Sequence, residues 1–470
     1  MGAHSGTYDS HNAREASLDK IISILKSLGV TKTYIKKLAP NDNSKNQPYF
    51  GGHLTDLSFL PTGELIPSVT TSNKKTPANR KIKYTTDIPF TWFDTEGQTY
   101  NAPRAKLIYY PQYPEVRFSG FLLGSKVEAG MWMDPKRQGR AQGRWLILGV
   151  HPEGMTYGYL VTPGCNLSRE LENTELIEFG TIFKQLDMTA GADAPKVSTK
   201  DALIAKLREI HEMGWVSSCR LTGEMDLIPY KAANGGGYTL EALLGISPNG
   251  FAEPDYLGWE VKQFGVNKFP SIGAKPTTLM TPEPDGGFYK DTGVIDFIRK
   301  YGYPDVSGIE DRFNFGGKHI VGKVHERTNL TLSLLGFDPE AGKIIDAEGC
   351  IALLDAEENI TASWSFAKLM DHWKRKHSQA VYIPSLKRKE GGEYRYHYGK
   401  DIELGTGTNL EIMLRGMQTG FVYYDPGIKV ENASSDKPKS KRRSQFRINH
   451  KQLGQMYKNF EHADLLSANS

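Results

Sequence analysis

The stretch Asn234–Lys268, NGGGYTLEALLGISPNGFAEPDYLGWEVKQFGVNK, decides how the rest of the chain is read. Glu260 and Lys262 lie two apart in an apolar run, Trp259–Val261, that reads as a strand. A period of two puts both side chains on one sheet face. Asp255 follows Pro254, and a turn at Leu257-Gly258 would aim it at the same spot. Glu241 opens the helical turn Leu240–Leu244 behind three glycines and can face the strand. Hard cations want oxygen, and Mg²⁺ takes one or two protein carboxylates beside phosphate and water. A lysine next to such a cation can orient an attacking water and offset charge on a phosphorane-like transition state. The chemistry implied is hydrolysis of a phosphodiester. An E-x-K pair alone is weak, since a chain this long holds roughly one or two by chance. Acids clustered beside Gly and Pro, on an apolar element carrying Trp259, make the stretch a site candidate.

These residues carry a resemblance. The stretch is similar to the MutH-like and MvaI/BcnI-like branch of the PD-(D/E)XK nucleases, which places a helix glutamate fourteen residues before the motif aspartate, as Glu241 stands to Asp255. The spacing from Asp255 to Glu260 and Lys262 resembles the MvaI type and is two residues shorter than the MutH type. The resemblance implies that Asp255 and Glu260 are metal ligands, Lys262 the water-positioning lysine and Glu241 a supporting acid or second ligand. It favours a restriction enzyme over a mismatch-repair nickase.

Composition permits this class without selecting it. The 470 residues hold 58 Lys and Arg against 54 Asp and Glu, a net charge of +4 with pI near 8.6. That balance suits a nucleic-acid partner only if the charge is unevenly distributed. Cys165, Cys219 and Cys350 lie far apart with no CxxC spacing, so they read as reduced, buried thiols and not zinc ligands. No run of eighteen apolar residues exists and the N-terminus lacks a signal-peptide core, giving the expectation of a cytoplasmic protein with no membrane partner; that it is prokaryotic is implied by the resemblance alone.

The small-residue stretch 188–198 reads as a linker, giving an N-terminal domain over 1–187 and a catalytic domain over 199–470. Before the linker the pattern is mostly β. Short aromatic and β-branched runs at Lys106–Tyr110, Val116–Leu123, Arg144–Val150 and Tyr157–Thr162 follow an amphipathic helix at Ser17–Leu28, and a small barrel is the natural closure. After it, Lys200–Met213 reads as an amphipathic helix, structural in role, with His211 assigned none, and mixed strands and helices follow.

Two N-terminal segments are rich in base-reading side chains. Lys36–Gly52 holds Asn43, Lys45, Asn46 and Gln47; Tyr109–Phe121 presents Gln112, Tyr113, Glu115 and Arg117. Amides and guanidinium groups can read adenine and guanine edges, and Glu can accept from cytosine; the same residue types also make turns with no ligand at all. Together the segments, within roughly residues 20–165, resemble the two arms of the B3-like DNA-binding fold of EcoRII-type enzymes. Lys136, Arg137, Arg140 and Arg144 read as a basic hairpin facing phosphate or simply as a solvated loop.

Near the C-terminus, Lys437–Arg447, KPKSKRRSQFR, holds six basic residues in eleven. A cationic loop explains its first half; the alternation of Ser444 to Ile448 reads as a strand with Arg447 on a structured face. In MvaI-like enzymes the matching segment enters the major groove, which implies base contacts for Arg447 and Arg442, while Asp425 in YYDPG matches a base-reading acid. Where those enzymes have histidines, this chain has Ser440 and Arg442. Arg395-Tyr396-His397-Tyr398 reads either as a DNA contact or as an ordinary strand, and Trp364-Ser365-Phe366 as core opening a helix over Lys368–Lys376.

The expected fold is therefore α+β or α/β: a B3-like β-pseudobarrel followed by a mixed-sheet PD-(D/E)XK domain. The resemblances imply a Mg²⁺-dependent type II restriction endonuclease acting on a CCNGG-type site, with CC(A/T)GG favoured. They further imply an N-terminal domain that binds a second copy of the site as effector, a monomer that nicks each strand in turn, and a cognate methyltransferase. The alternatives are a strand-specific nicking endonuclease and a B3-type DNA-binding regulator with a dead nuclease fold.

Overall fold

The computed structural model describes residues 15–467 apart from 41–46, 71–80, 135, 138–139, 181, 187, 189–197, 247–255 and 271–274. Two compact units result, Met1–Ala202 and Leu203–Ser470, each mixed in secondary structure and rich in strands.

Aromatic side chains hold the first unit together. A seven-stranded sheet runs in the order Ile177–Phe179, Phe183–Leu186, Lys32–Lys37, Trp145–Val150, Thr156–Val161, Phe90–Phe93, Thr99–Asn101. A five-stranded sheet runs Tyr49–Gly51, Glu115–Ser119, Lys106–Tyr110, Lys81–Asp87, Ile66–Thr70. Phe118 stacks on Phe50 within the smaller sheet at 4.8 Å and meets Phe90 of the larger at 5.1 Å, joining the two. Gly158 lets the Phe90 ring in, since a Cβ there would lie 2.2 Å from it. The strand expected to reach Leu123 stops at Ser119 because Gly120 turns at φ 71°, where a Cβ would strike the Arg104 carbonyl. Helix Leu18–Ser27 starts where Ser17 Oγ accepts from the Lys20 amide, and it buries Ile21 and Leu25.

Arg144 departs from its expected place on a basic hairpin. It is 1% exposed, and its guanidinium donates to the carbonyls of Ala141 (2.9 Å), Trp132 (2.8 Å) and Ala39 (2.9 Å). Burial lowers its pKa to about 10, so it stays charged at neutral pH. The fork ties the segment after Leu38 to the sheet, a structural task. Replacing it with methionine removes the donors of three part-buried carbonyls and should cost about 3 kcal/mol. Urea unfolding would show the first unit's midpoint shifted down; an unmoved midpoint would refute the anchoring role.

The second unit is organised by strand alternation. Strand Gln379–Glu390 takes Glu260–Gly265 in parallel on one edge and Asp401–Thr406 antiparallel on the other, with Asn459–Asp464 beyond. Val261, Val381 and Leu404 point to one face, where Leu203, Leu207 and Ile210 of helix Thr199–Glu212 and Leu240 of helix Gly236–Leu243 close a core. Tyr396 and Tyr398 are buried, and their hydroxyls donate to the carbonyls of Ala233 (3.1 Å) and Gly236 (2.7 Å), pinning the start of that glycine-led helix. These two tyrosines of the Arg395–Tyr398 motif are therefore core residues. Trp364 is fully buried, as expected, and Ser365 caps helix Phe366–Lys376. A smaller sheet, Thr277–Met280, Phe446–Ile448, Val422–Tyr424, completes what bears on function. The three cysteines are buried and free. Among the described residues no helix is long and apolar enough to cross a membrane.

Candidate active site

The face of the central sheet away from the helices is polar. Cross-strand register aligns Lys262, Tyr382, Glu403 and His462 in one row over four strands, with Glu260 beside Lys262. Glu260 is 5% exposed; its Oε1 accepts from Lys262 Nζ at 2.9 Å, and its buried Oε2 has no hydrogen-bond partner among the described residues. Tyr382 and Tyr457 share a 2.7 Å hydroxyl contact beside it, and burial pushes both phenols well above their usual range, so they stay protonated. Small residues make room for this wall: a Cβ at Gly405 would lie 2.5 Å from the Tyr457 ring, and Ala380 sits opposite Glu260.

A buried carboxylate oxygen without a donor costs several kcal/mol unless something positive joins it. Lys262 answers one oxygen and leaves the other. Before the strand, Tyr256 and Trp259 close a tight turn through mutual backbone bonds of 3.0 and 2.8 Å, with Leu257 and Gly258 at φ 49° and 87°. Asp255, immediately before that turn, lies outside the described residues. Glu241 is half-buried on helix Gly236–Leu243, which packs against strand Glu260–Gly265. Among the described residues no three His, Cys, Asp or Glu side chains form a group that could hold a metal ion.

On the smaller sheet, Arg447 donates to Asp425 Oδ2 and to the Pro276 carbonyl, both at 2.8 Å, while its Nε is buried without a partner among the described residues. Tyr423 is its cross-strand neighbour, and Lys318 Nζ lies 4.7 Å over the Tyr423 ring. Arg442 is exposed, between strand Lys439–Lys441 and strand Phe446–Ile448. The first half of the basic run is thus partly a strand, paired with Gly427–Glu431.

In the first unit, Gln47, Glu115 and Arg117 line one cavity of about 280 Å³ together with Lys36 and Tyr49. Arg117 pairs with Glu115 at 2.6 Å, Gln47 Nε2 donates to Ser119 Oγ at 2.7 Å, and burial lowers the Lys36 ammonium to about 8. Gln112 and Tyr113 occupy the turn between the two strands that carry this arm, with Tyr113 exposed. Asn43, Lys45 and Asn46 lie outside the described residues. Sequence reading overlooked Tyr382, Glu403, His450 and Tyr457, which sit in no motif, and gave no role to Lys36 at the head of its own segment; only the sheet register or the folded cavity gathers them.

The profile of the MvaI/BcnI restriction endonuclease family matches residues 204–457, more than half the chain. The chain belongs to the MvaI/BcnI restriction endonuclease family. It is accordingly a type II site-specific endonuclease, a DNA-binding hydrolase, of a family that generally uses a divalent metal. Among solved structures, the restriction endonuclease MvaI–cognate DNA substrate complex aligns at 18% identity and TM-score 0.43, over 58% of this chain and 100% of the relative. MvaI in the absence of DNA aligns at 16% identity and TM-score 0.32, over 57% and 99%. A comparison with curated proteins finds no match.

Proposed function

We propose that this MvaI/BcnI-family chain cuts double-stranded DNA at a CCNGG-type site, CC(A/T)GG by preference, in a Mg²⁺-dependent reaction centred on Asp255, Glu260 and Lys262 with Glu241 in support. One observation carries it: Glu260 is buried with a lysine on one oxygen and nothing described on the other. An all-oxygen donor set with one orphaned carboxylate oxygen fits a hard divalent cation. Asp255 and Glu260 would hold Mg²⁺, which when bound supplies charge neutralisation and water activation at the scissile phosphate. Lys262 orients the attacking water and offsets developing negative charge. The Tyr382–Tyr457 wall keeps bulk water from Glu260, so these charges act in a low-dielectric setting.

Sequence choice is assigned to Arg447, Asp425 and Arg442. Arg447, anchored beside Asp425 and the Pro276 carbonyl, can turn its guanidinium to a guanine edge by loosening one of these contacts, and Asp425 would accept from cytosine N4. Residues 1–187, joined through 188–198 to a catalytic domain from 199, would form the B3-like effector domain, contacting a second site through Asn43, Lys45, Asn46, Gln47, Gln112, Tyr113, Glu115 and Arg117. Gln47 and the Arg117–Glu115 pair on one cavity support this, as does a desolvated Lys36 that an approaching phosphate would re-stabilise as the cation. The protein is read as a cytoplasmic, prokaryotic monomer partnered by a cognate methyltransferase.

Plasmid cleavage with Mg²⁺, repeated in EDTA, with ends mapped by sequencing, tests the reading. Discrete double-strand breaks at one five-base-pair sequence, lost in EDTA and altered in rate by a second DNA bearing that sequence, are expected. Nicks confined to one strand would favour the nickase; an intact plasmid with a specific gel shift would favour the binding regulator.

A further inference from the structure

A line of buried polar contacts joins the strand bearing Arg447 to the sheet bearing Lys262. His450, 1% exposed, follows that strand by two residues and caps nothing itself; its ring nitrogens face two different elements. Nε2 lies 2.8 Å from Glu403 Oε2, and Nδ1 lies 2.7 Å from Thr277 Oγ1. A carboxylate only accepts, so Nε2 carries the hydrogen, and a neutral ring then accepts at Nδ1 from the Thr277 hydroxyl. Glu403 stands in the same cross-strand row as Lys262, with Tyr382 between them. The His450 ring also packs on Phe264, at 4.1 Å between centroids, and Phe264 lies on the strand of Glu260 and Lys262. At the other end, Thr277 is bonded in sequence to Pro276, whose carbonyl receives the Arg447 guanidinium.

The geometry points to His450 as a positioning residue that ties base reading to cleavage, a reading that rests on the proposed roles of Arg447 and of Glu260 and Lys262. To engage a base, Arg447 must adjust its hold on Asp425 or Pro276. Any shift of Pro276 carries Thr277 with it. The hydroxyl then moves against His450, and His450 bears on both Glu403, in the row of Lys262, and Phe264, on the strand of Glu260 and Lys262. Each group in the line is buried or half-buried, so a broken contact is not made good by solvent. A wrong base pair, by leaving Arg447 unsettled, lowers the rate as well as the affinity.

Two small substitutions in the full chain test this. Thr277→Val removes the hydroxyl at nearly constant shape and leaves the buried Glu403–His450 pair intact; Thr277→Ser keeps the hydroxyl. Single-turnover cleavage of a duplex bearing the mapped site should slow about 5-fold in Thr277→Val, the worth of one hydrogen bond. Binding measured in EDTA should stay within about 2-fold, and Thr277→Ser should restore the rate. Combined with Arg447→Lys, the Thr277→Val loss should be smaller than in the parent, because one line cannot be cut twice. An unchanged rate in Thr277→Val, equal slowing in Thr277→Ser, or losses that simply multiply with Arg447→Lys would overturn the coupling. Lys262→Ala, run alongside, separates the failures: if that variant still cuts, the cleavage site itself is misassigned, whereas an inactive Lys262→Ala beside an unaffected Thr277→Val rejects the coupling alone.

Discussion

Lys262→Ala is expected to reduce cleavage at the target site by roughly 10³-fold or more, the scale seen when a positioned proton-handling or charge-stabilising group is lost. Two effects combine. The water loses its orienting ammonium, and Glu260, 5% exposed, loses the cation now 2.9 Å from Oε1. DNA affinity in EDTA should change by no more than about 3-fold, since a single half-buried lysine is a small share of the phosphate contacts. Lys262→Arg should not rescue, because a planar fork cannot occupy the place of a compact ammonium. Single-turnover kinetics with a labelled duplex read the rate and a gel shift reads the affinity. Substantial cutting by Lys262→Ala would remove this lysine from the mechanism.

Arg447→Ala is expected to erase discrimination at one base pair of the site. A well-aimed arginine–guanine pair is worth about 1–3 kcal/mol, so the preference for the true site over a duplex changed at that pair should fall about 5- to 150-fold. The substitution also leaves Asp425 without its 2.8 Å partner, a second penalty on the cognate complex. The measurement is the ratio of single-turnover rates on the two duplexes. A general loss of affinity with the ratio preserved would make Arg447 a phosphate contact instead.

The side-by-side placement of Glu260 and Lys262 was legible because it depends only on a period of two in a short apolar run. The helical turn expected at Leu240–Leu244 was legible locally, with Leu240 marking its buried side, but the helix Gly236–Leu243 starts earlier and takes in two of the three glycines. What escaped notice depends on closure over long distances. Tyr382 and Glu403 come to this face only through strand register, Tyr457 only through its hydroxyl contact with Tyr382, and nothing in YIPS or IELG announces a neighbour far upstream. Arg144 misled because its neighbours in sequence are basic and exposed, whereas its three acceptors are carbonyls that any sequence carries. A cation's fate follows from which acceptors the fold brings near it, and composition is silent on that.

The parallel pairing of Glu260–Gly265 with Gln379–Glu390 has a consequence during synthesis. A ribosome finishes Glu260 and Lys262 long before it makes their partner strand, and Tyr457, which walls Glu260, comes later still. Contacts this distant in sequence form late. A nascent or prematurely terminated chain therefore carries the residues proposed to cut without the strand that flanks them in the folded protein. On the proposed reading, cleavage waits until the last strands are made.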